Sequence, residues 1–136
     1  MGDESLIVLD THVLVWWLAD ALKLSTAAKK AIQAGAAKSE VLISAATILE
    51  IATLVRRQRL VLTTGFDEWL ADLRELPELQ IVPVNADIAA RAGSFGTEVH
   101  GDPIDRLIIA TALVSKAKLV SADATIRASR IVPTVW

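Results

Sequence analysis

Cysteine is absent from the 136-residue chain. That excludes disulfides, a cysteine-ligated zinc site and a thiol nucleophile. Histidine is scarce: His12 and His100 are the only two, and they are not arranged as a zinc motif. No apolar run approaches the length needed to cross a bilayer, so no membrane partner is expected. The opening Met1-Gly2-Asp3-Glu4-Ser5 is acidic and precedes only a short apolar run. That is not the pattern of a secretory signal, and a cytoplasmic location is the expectation. Repeats, low-complexity tracts and linkers are also missing, so residues 1–136 are expected to form one domain. No Gly-rich loop follows the first predicted strand, which argues against a dinucleotide or P-loop phosphate site.

What is present is apolar. Hydrophobic residues make up 53% of the chain and charged residues 22%. A chain of this length and composition buries a real core and is not disordered. The formal net charge of -2 argues, taken alone, against broad nucleic-acid binding. That argument reverses if several carboxylates converge on bound cations. The 14 Lys and Arg residues are then left to face a polyanion.

Short apolar runs alternate with helical patterns. Leu6-Ile7-Val8-Leu9 reads as a strand covered on both faces, followed by a short helix from His12 to Ala19. Ser25 caps a helix through about Ala37, and Val41-Leu42-Ile43 is a second strand. Ser44 caps a helix from about Ala45 to Arg57, with Arg56, Arg57 and Arg59 as its basic, solvated end. Thr64 is expected to start a helix to about Leu76, carrying Phe66, Trp69, Leu70 and Leu73 on one stripe. Ile81-Val82 is a third strand; Asn85 then caps a helix ended by Gly93. A loop over 94–101 leads to a central helix beginning at Pro103. It feeds a fourth strand, Lys118-Leu119-Val120. Ile131 to Val135 is the candidate fifth strand, with Pro133 suited to a sheet edge. The expected fold is α/β, a three-layer sandwich with a central, mainly parallel sheet of four to five strands flanked by helices.

Function is sought where carboxylates meet. The first and fourth strands end in Asp10 and Asp123, and ligands of open α/β sheets collect at the carboxyl ends of strands. The helix beginning at Pro103 runs back to the fourth strand, so Asp102 and Asp105 belong at the same rim. Asp102 has the chemistry of an N-cap, and Asp105 falls in the first turn, where free N–H groups favour negative charge. Glu50 interrupts the apolar face of its helix and calls for a cation or full exposure. Asp and Glu oxygens clustered without Cys or His suit Mg2+ or Mn2+. Thr11 and Ser121 are placed to hydrogen-bond to these carboxylates, and Arg106 to pair with them or contact phosphate. A haloacid-dehalogenase-like phosphatase needs a second Asp where His12 stands. A receiver domain places its phosphoacceptor on an internal strand and its acidic partners on the first, which is a weaker match. The residues alone leave open a metal-dependent RNA nuclease, a related DNA nuclease and a non-catalytic acidic binding module.

Four ordered segments carry a resemblance. They are Ile7-Val8-Leu9-Asp10-Thr11-His12, Ser44-Ala45-Ala46-Thr47-Ile48-Leu49-Glu50-Ile51, His100 to Ala110 with its Asp-Pro-Ile-Asp-Arg core, and Leu119-Val120-Ser121-Ala122-Asp123. Over nearly its full length the chain resembles the PIN domain, and within it the VapC-type toxin ribonucleases. The resemblance implies a Mg2+- or Mn2+-dependent endoribonuclease that hydrolyses RNA, single-stranded or looped, through a metal-activated water. It implies catalytic and metal-binding roles for Asp10, Glu50, Asp105 and Asp123. Asp102 matches an additional acidic position of a subgroup, which makes it a further candidate metal ligand beside its role as helix cap. A homodimer and a cognate antitoxin are the partners it implies. Gly101 stands where a more basic residue is frequent, which implies weaker RNA contacts beside the site. His12 and His100 are read as structural or peripheral. Trp16, Trp17, Phe66 and Trp69 are read as core or dimer-interface residues.

Overall fold

Ile7–Leu9, the first apolar run, forms the middle strand of the sheet, β1. The computed structural model describes residues 5–136; the acidic opening Met1-Gly2-Asp3-Glu4 lies outside the described residues. β2 (Val41–Ser44) and β4 (Lys118–Val120) flank β1, with β3 (Leu79–Val82) and β5 (Thr134–Val135) at the edges. Every pairing is parallel, which sharpens the expected mainly parallel sheet to an all-parallel one of five strands. Pro133 sits just before the edge strand β5 and contributes only its carbonyl, which accepts from the Leu119 N–H at 2.8 Å.

Both sheet faces are covered, which is why the strands read as continuous apolar runs. Ile7, Leu9, Val41 and Ile43 point into one core, with Leu14, Ile32, Ile51 and Leu73 from α1 (Thr11–Ala19), α2 (Thr26–Ala37), α3 (Ala45–Arg56) and α4 (Phe66–Arg74). Val8, Leu42 and Leu119 point the other way, onto Ile108, Ile109 and Ala112 of α6 (Pro103–Ser115) and Ile126 of α7 (Ala124–Ser129). α5 (Ala86–Ser94) packs beside α6 through Ile88 and Ala92. The predicted stripe of α4 holds: Phe66, Trp69, Leu70 and Leu73 all pack on the first core.

Helix starts follow the predicted caps at Ser25, Ser44, Asn85 and Asp102, whose side chains accept from backbone N–H groups of the first turn. Two predicted boundaries are corrected. α4 begins at Phe66 after Gly65, and the Thr64 hydroxyl does not cap it. α5 runs through Gly93 to Ser94. Gly93 therefore does not end it; Phe95, in extended conformation, does.

No described glycine has positive φ; the left-handed positions fall on Ser39, Gln58, Lys116 and Arg130. Ser39, Gln58 and Lys116 close α2, α3 and α6 with paired bonds back to the last turn. At α6 these are Lys116 N–H to Leu113 O at 3.2 Å and Ala117 N–H to Ala112 O at 2.9 Å. A side chain in that conformation is strained, whereas glycine is not. Lys116→Gly is therefore expected to stabilise the fold by about 0.5–1 kcal/mol. Chemical denaturation checks this, and an unchanged or lower midpoint contradicts it.

Candidate metal and nuclease site

The strand order β3-β2-β1-β4-β5 makes the chain switch sides between β1 and β4. A crevice opens at the carboxyl ends of strands that diverge in this way. Asp10 ends β1 and Asp123 follows β4, so both stand at that crevice. α6 enters from the same rim and brings Asp105 in its first turn. α3 contributes Glu50 from its second turn. These four carboxylates, with His12, Trp16 and Ala122, line one open pocket of about 280 Å³. No Lys or Arg lines it.

Each carboxylate is held. Asp10 is buried; its Oδ1 accepts from the Thr11 N–H at 2.8 Å and its Oδ2 from the Ser121 hydroxyl at 2.8 Å. Ser121 Oγ accepts in turn from the Asp123 N–H at 3.1 Å, linking the ends of β1 and β4. Thr11 donates its hydroxyl to Glu50 Oε1 at 2.5 Å, and its oxygen lies 3.3 Å from that of Thr47. Asp123 Oδ1 caps α7 by accepting from Thr125 and Ile126 N–H groups. Asp105 faces His100, with Nε2 3.1 Å from Oδ2.

Crowding shows in the acidities. Burial raises the Asp10 carboxyl above the ordinary range, and its bonds to Ser121 and Thr11 only partly offset this. Asp105 is pushed up to about 7, by burial first and then by the charges of Asp10 and Asp102. His100 opposes the shift, while Glu50 adds to it. Asp10 and Asp105 resist ionising, and no Lys or Arg lines the pocket, so this donor set is short of permanent positive charge.

The remaining sequence candidates lie elsewhere. Asp102 is exposed; its Oδ1 accepts from the Ile104 N–H at 2.9 Å, and it lines a neighbouring groove. Arg106 turns away from the carboxylates. Its Nε donates to Ala92 O at 2.9 Å and Nη1 to Val99 O at 3.1 Å, with Nη2 on Phe95 O. Two pocket residues were missed as site residues. His12 and Trp16 are four apart on α1, hence on one face, directly after Asp10; that spacing is a signal the sequence carried. His100 arrives on an irregular loop, and no periodicity announces it.

Comparison with known proteins bears on the family and the fold. The PIN domain family pattern matches residues 7–130. Ribonuclease VapC22 of Mycobacterium tuberculosis is 35% identical over 124 residues, covering 91% of this chain and 92% of that protein. Among solved structures, VapBC2 from Rickettsia felis bound to a promoter DNA fragment superposes with a TM-score of 0.68 at 17% identity, over 95% of this chain and 96% of that one. A toxin–antitoxin complex from Klebsiella pneumoniae superposes with a TM-score of 0.55 at 21% identity, over 86% of each chain.

Proposed function

The chain belongs to the PIN-domain family, and from that premise we propose that it is a divalent-metal-dependent endoribonuclease of the VapC toxin type. The observation that carries the reading is the pocket itself: carboxylates from four separate elements line it at the sheet's switch point, with no Lys or Arg among them. Oxygen donors of this kind fit Mg2+ or Mn2+, and a bound cation offsets both the burial that chiefly raises Asp10 and Asp105 and the neighbouring charges that add to it. Asp10, Glu50, Asp105 and Asp123 are the residues proposed to hold it. A divalent ion bound there supplies Lewis acidity to a phosphodiester and to the attacking water.

The chain's own groups do the positioning. Ser121 and the Thr11 amide fix Asp10, and the Thr11 hydroxyl fixes Glu50. Asp102 acts on the site through its charge on Asp105 while capping α6. Trp16 walls the pocket, and its ring lies 5.8 Å from that of Trp136. Glu50 is shared with an adjoining groove of about 310 Å³, lined also by Thr53, Arg57, Arg59 and Asp102. Arg57 and Arg59 are exposed and are proposed to meet RNA phosphates next to the one being cut. Arg57→Glu with Arg59→Glu is expected to raise KM for single-stranded RNA about tenfold and flatten its salt dependence. A steady-state salt series checks this; an unchanged KM removes the groove from the substrate path.

A single nuclease domain, a homodimer, a cytoplasmic location and a cognate antitoxin belong to the same reading. The direct test incubates the full chain with total RNA in Mg2+ or Mn2+, with EDTA and single-stranded DNA as parallel arms. Metal-dependent RNA cuts are expected. Cleavage of DNA alone favours the DNA-nuclease alternative, and no metal binding with no cleavage favours a non-catalytic acidic module.

A further inference from the structure

The nuclease reading assigns the metal to carboxylates. The structure adds a nitrogen beside them. His100 is the last residue but one before the α6 cap, and the loop that carries it is drawn back over α6 by Arg106, which donates to the carbonyls of Phe95 and Val99. Arg106 Nη1 also lies 3.4 Å from the carbonyl oxygen of His100 itself. The backbone of the loop is thus tied down at the residue whose side chain enters the site. Its imidazole Nε2 reaches to 3.1 Å from Asp105 Oδ2. His100, Asp105 and Asp123 each offer one donor atom, and these three atoms all lie within 4.8 Å of one another. Neighbouring ligands about 2.2 Å from an octahedral ion stand about 3.1 Å apart, and opposite ones about 4.4 Å apart. The three atoms therefore bracket a volume the size of a small divalent ion. His12, by contrast, is exposed in the first turn of α1; it lines the pocket but is no member of the triplet.

We propose that His100 is a direct ligand of the divalent ion, so that the centre binds metal through one imidazole nitrogen together with carboxylate oxygens. The proposal rests on the metal-dependent reading of this pocket. Its chemical consequence is selectivity. Mg2+ favours oxygen donors and gains little from imidazole, whereas imidazole suits first-row transition ions. A mixed nitrogen and oxygen set therefore tilts this centre toward Mn2+. The rival role for His100 is to donate Nε2–H to Asp105 and position it as a ligand. That role predicts no preference between the two ions and no nitrogen on the metal.

The test loads the full chain with Mn2+ and records pulsed electron paramagnetic resonance, with calorimetry for Mn2+ and Mg2+ on wild type and His100→Gln, and RNA cleavage in parallel. Modulation from a directly bound 14N is expected in wild type and its loss in His100→Gln. Mn2+ affinity is expected to fall about tenfold in the variant, and Mg2+ affinity to change less than about threefold. Bound Mn2+ without 14N coupling in wild type overturns the proposal, as does an equal loss of both ions in a variant whose circular dichroism and melting match wild type. Because the decisive spectrum is that of wild type, a folding defect in the variant cannot rescue or sink it. Nitrogen coupling without RNA cleavage leaves the ligand assignment standing and defeats the nuclease reading. Cleavage without nitrogen coupling does the reverse. Failure to bind Mn2+ at all defeats both.

Discussion

Asp105→Asn is expected to make the metal-free protein more stable at neutral pH while lowering RNA cleavage by about 10³-fold or more. Both effects come from one feature, a carboxylate placed where it resists ionising. In the unfolded chain Asp105 loses its proton near pH 4. In the folded chain it does so near about 7, through burial first and the neighbouring Asp10 and Asp102 charges second. Between those values the folded state holds the extra proton. Stability therefore falls as pH rises from about 4 to about 7 and levels off above, by about 2–4 kcal/mol in all. Asparagine has the same shape and no charge at any of these pH values, so this slope disappears. The variant loses the favourable pairing with His100, but that contribution ranks behind burial, Asp10 and Asp102. Urea unfolding in EDTA should find the two proteins alike near pH 4 and the variant more stable at pH 8. Adding Mn2+ should reverse the order, because the wild type alone has Asp105 to give the ion. A variant less stable than wild type at pH 8 in EDTA contradicts the argument.

The same residue shows how far the amino-acid order could be read. Asp10, Asp105 and Asp123 were placed at one rim from connectivity alone: a strand-ending Asp, a helix running back to the next strand, and that strand's own end. Parallel topology makes such reasoning possible, since every strand presents the same end to the crevice. Glu50 was marked by a local conflict, a charge on an apolar helical face, and the structure resolves it with the Thr11 hydroxyl and the pocket. The two boundary errors are both at helix ends. Thr64 and Gly93 have the right chemistry for a helix start and stop, but α4 is entered from Gly65, and α5 runs on to Ser94 before Phe95 turns out of the helix onto the α5–α6 cluster. A terminal preference worth about 1 kcal/mol fixes a boundary only to within a residue or two. His100 and Arg106 were legible only as types. Their roles depend on an irregular loop over 95–101, whose path leaves no period in the sequence.

Arg106 supplies the second large expected effect, on stability rather than chemistry. A guanidinium has five N–H donors in one plane. Here they are spent on the carbonyls of Ala92, Phe95 and Val99, with that of His100 at 3.4 Å. The charge also sits 5.7 Å over the Phe95 ring. Ala92 lies in the last turn of α5, where carbonyls lack helical partners, so one side chain both ends α5 and ties the loop to α6. Arg106→Ala leaves those carbonyls without their donor and opens space above Phe95; a loss of about 2–4 kcal/mol is expected. Arg106→Lys is expected to recover less than half of it, because an ammonium on a flexible stem cannot address carbonyls spread along a plane. The loss should be local as well as global. Hydrogen exchange over 95–101 should accelerate more than in the strands, and His100 should lose its fixed place beside Asp105. An Arg106→Ala variant with exchange unchanged over 95–101, or with stability reduced by less than about 1 kcal/mol, shows that the loop is held by its own packing at Phe95 and Val99 and not by the guanidinium.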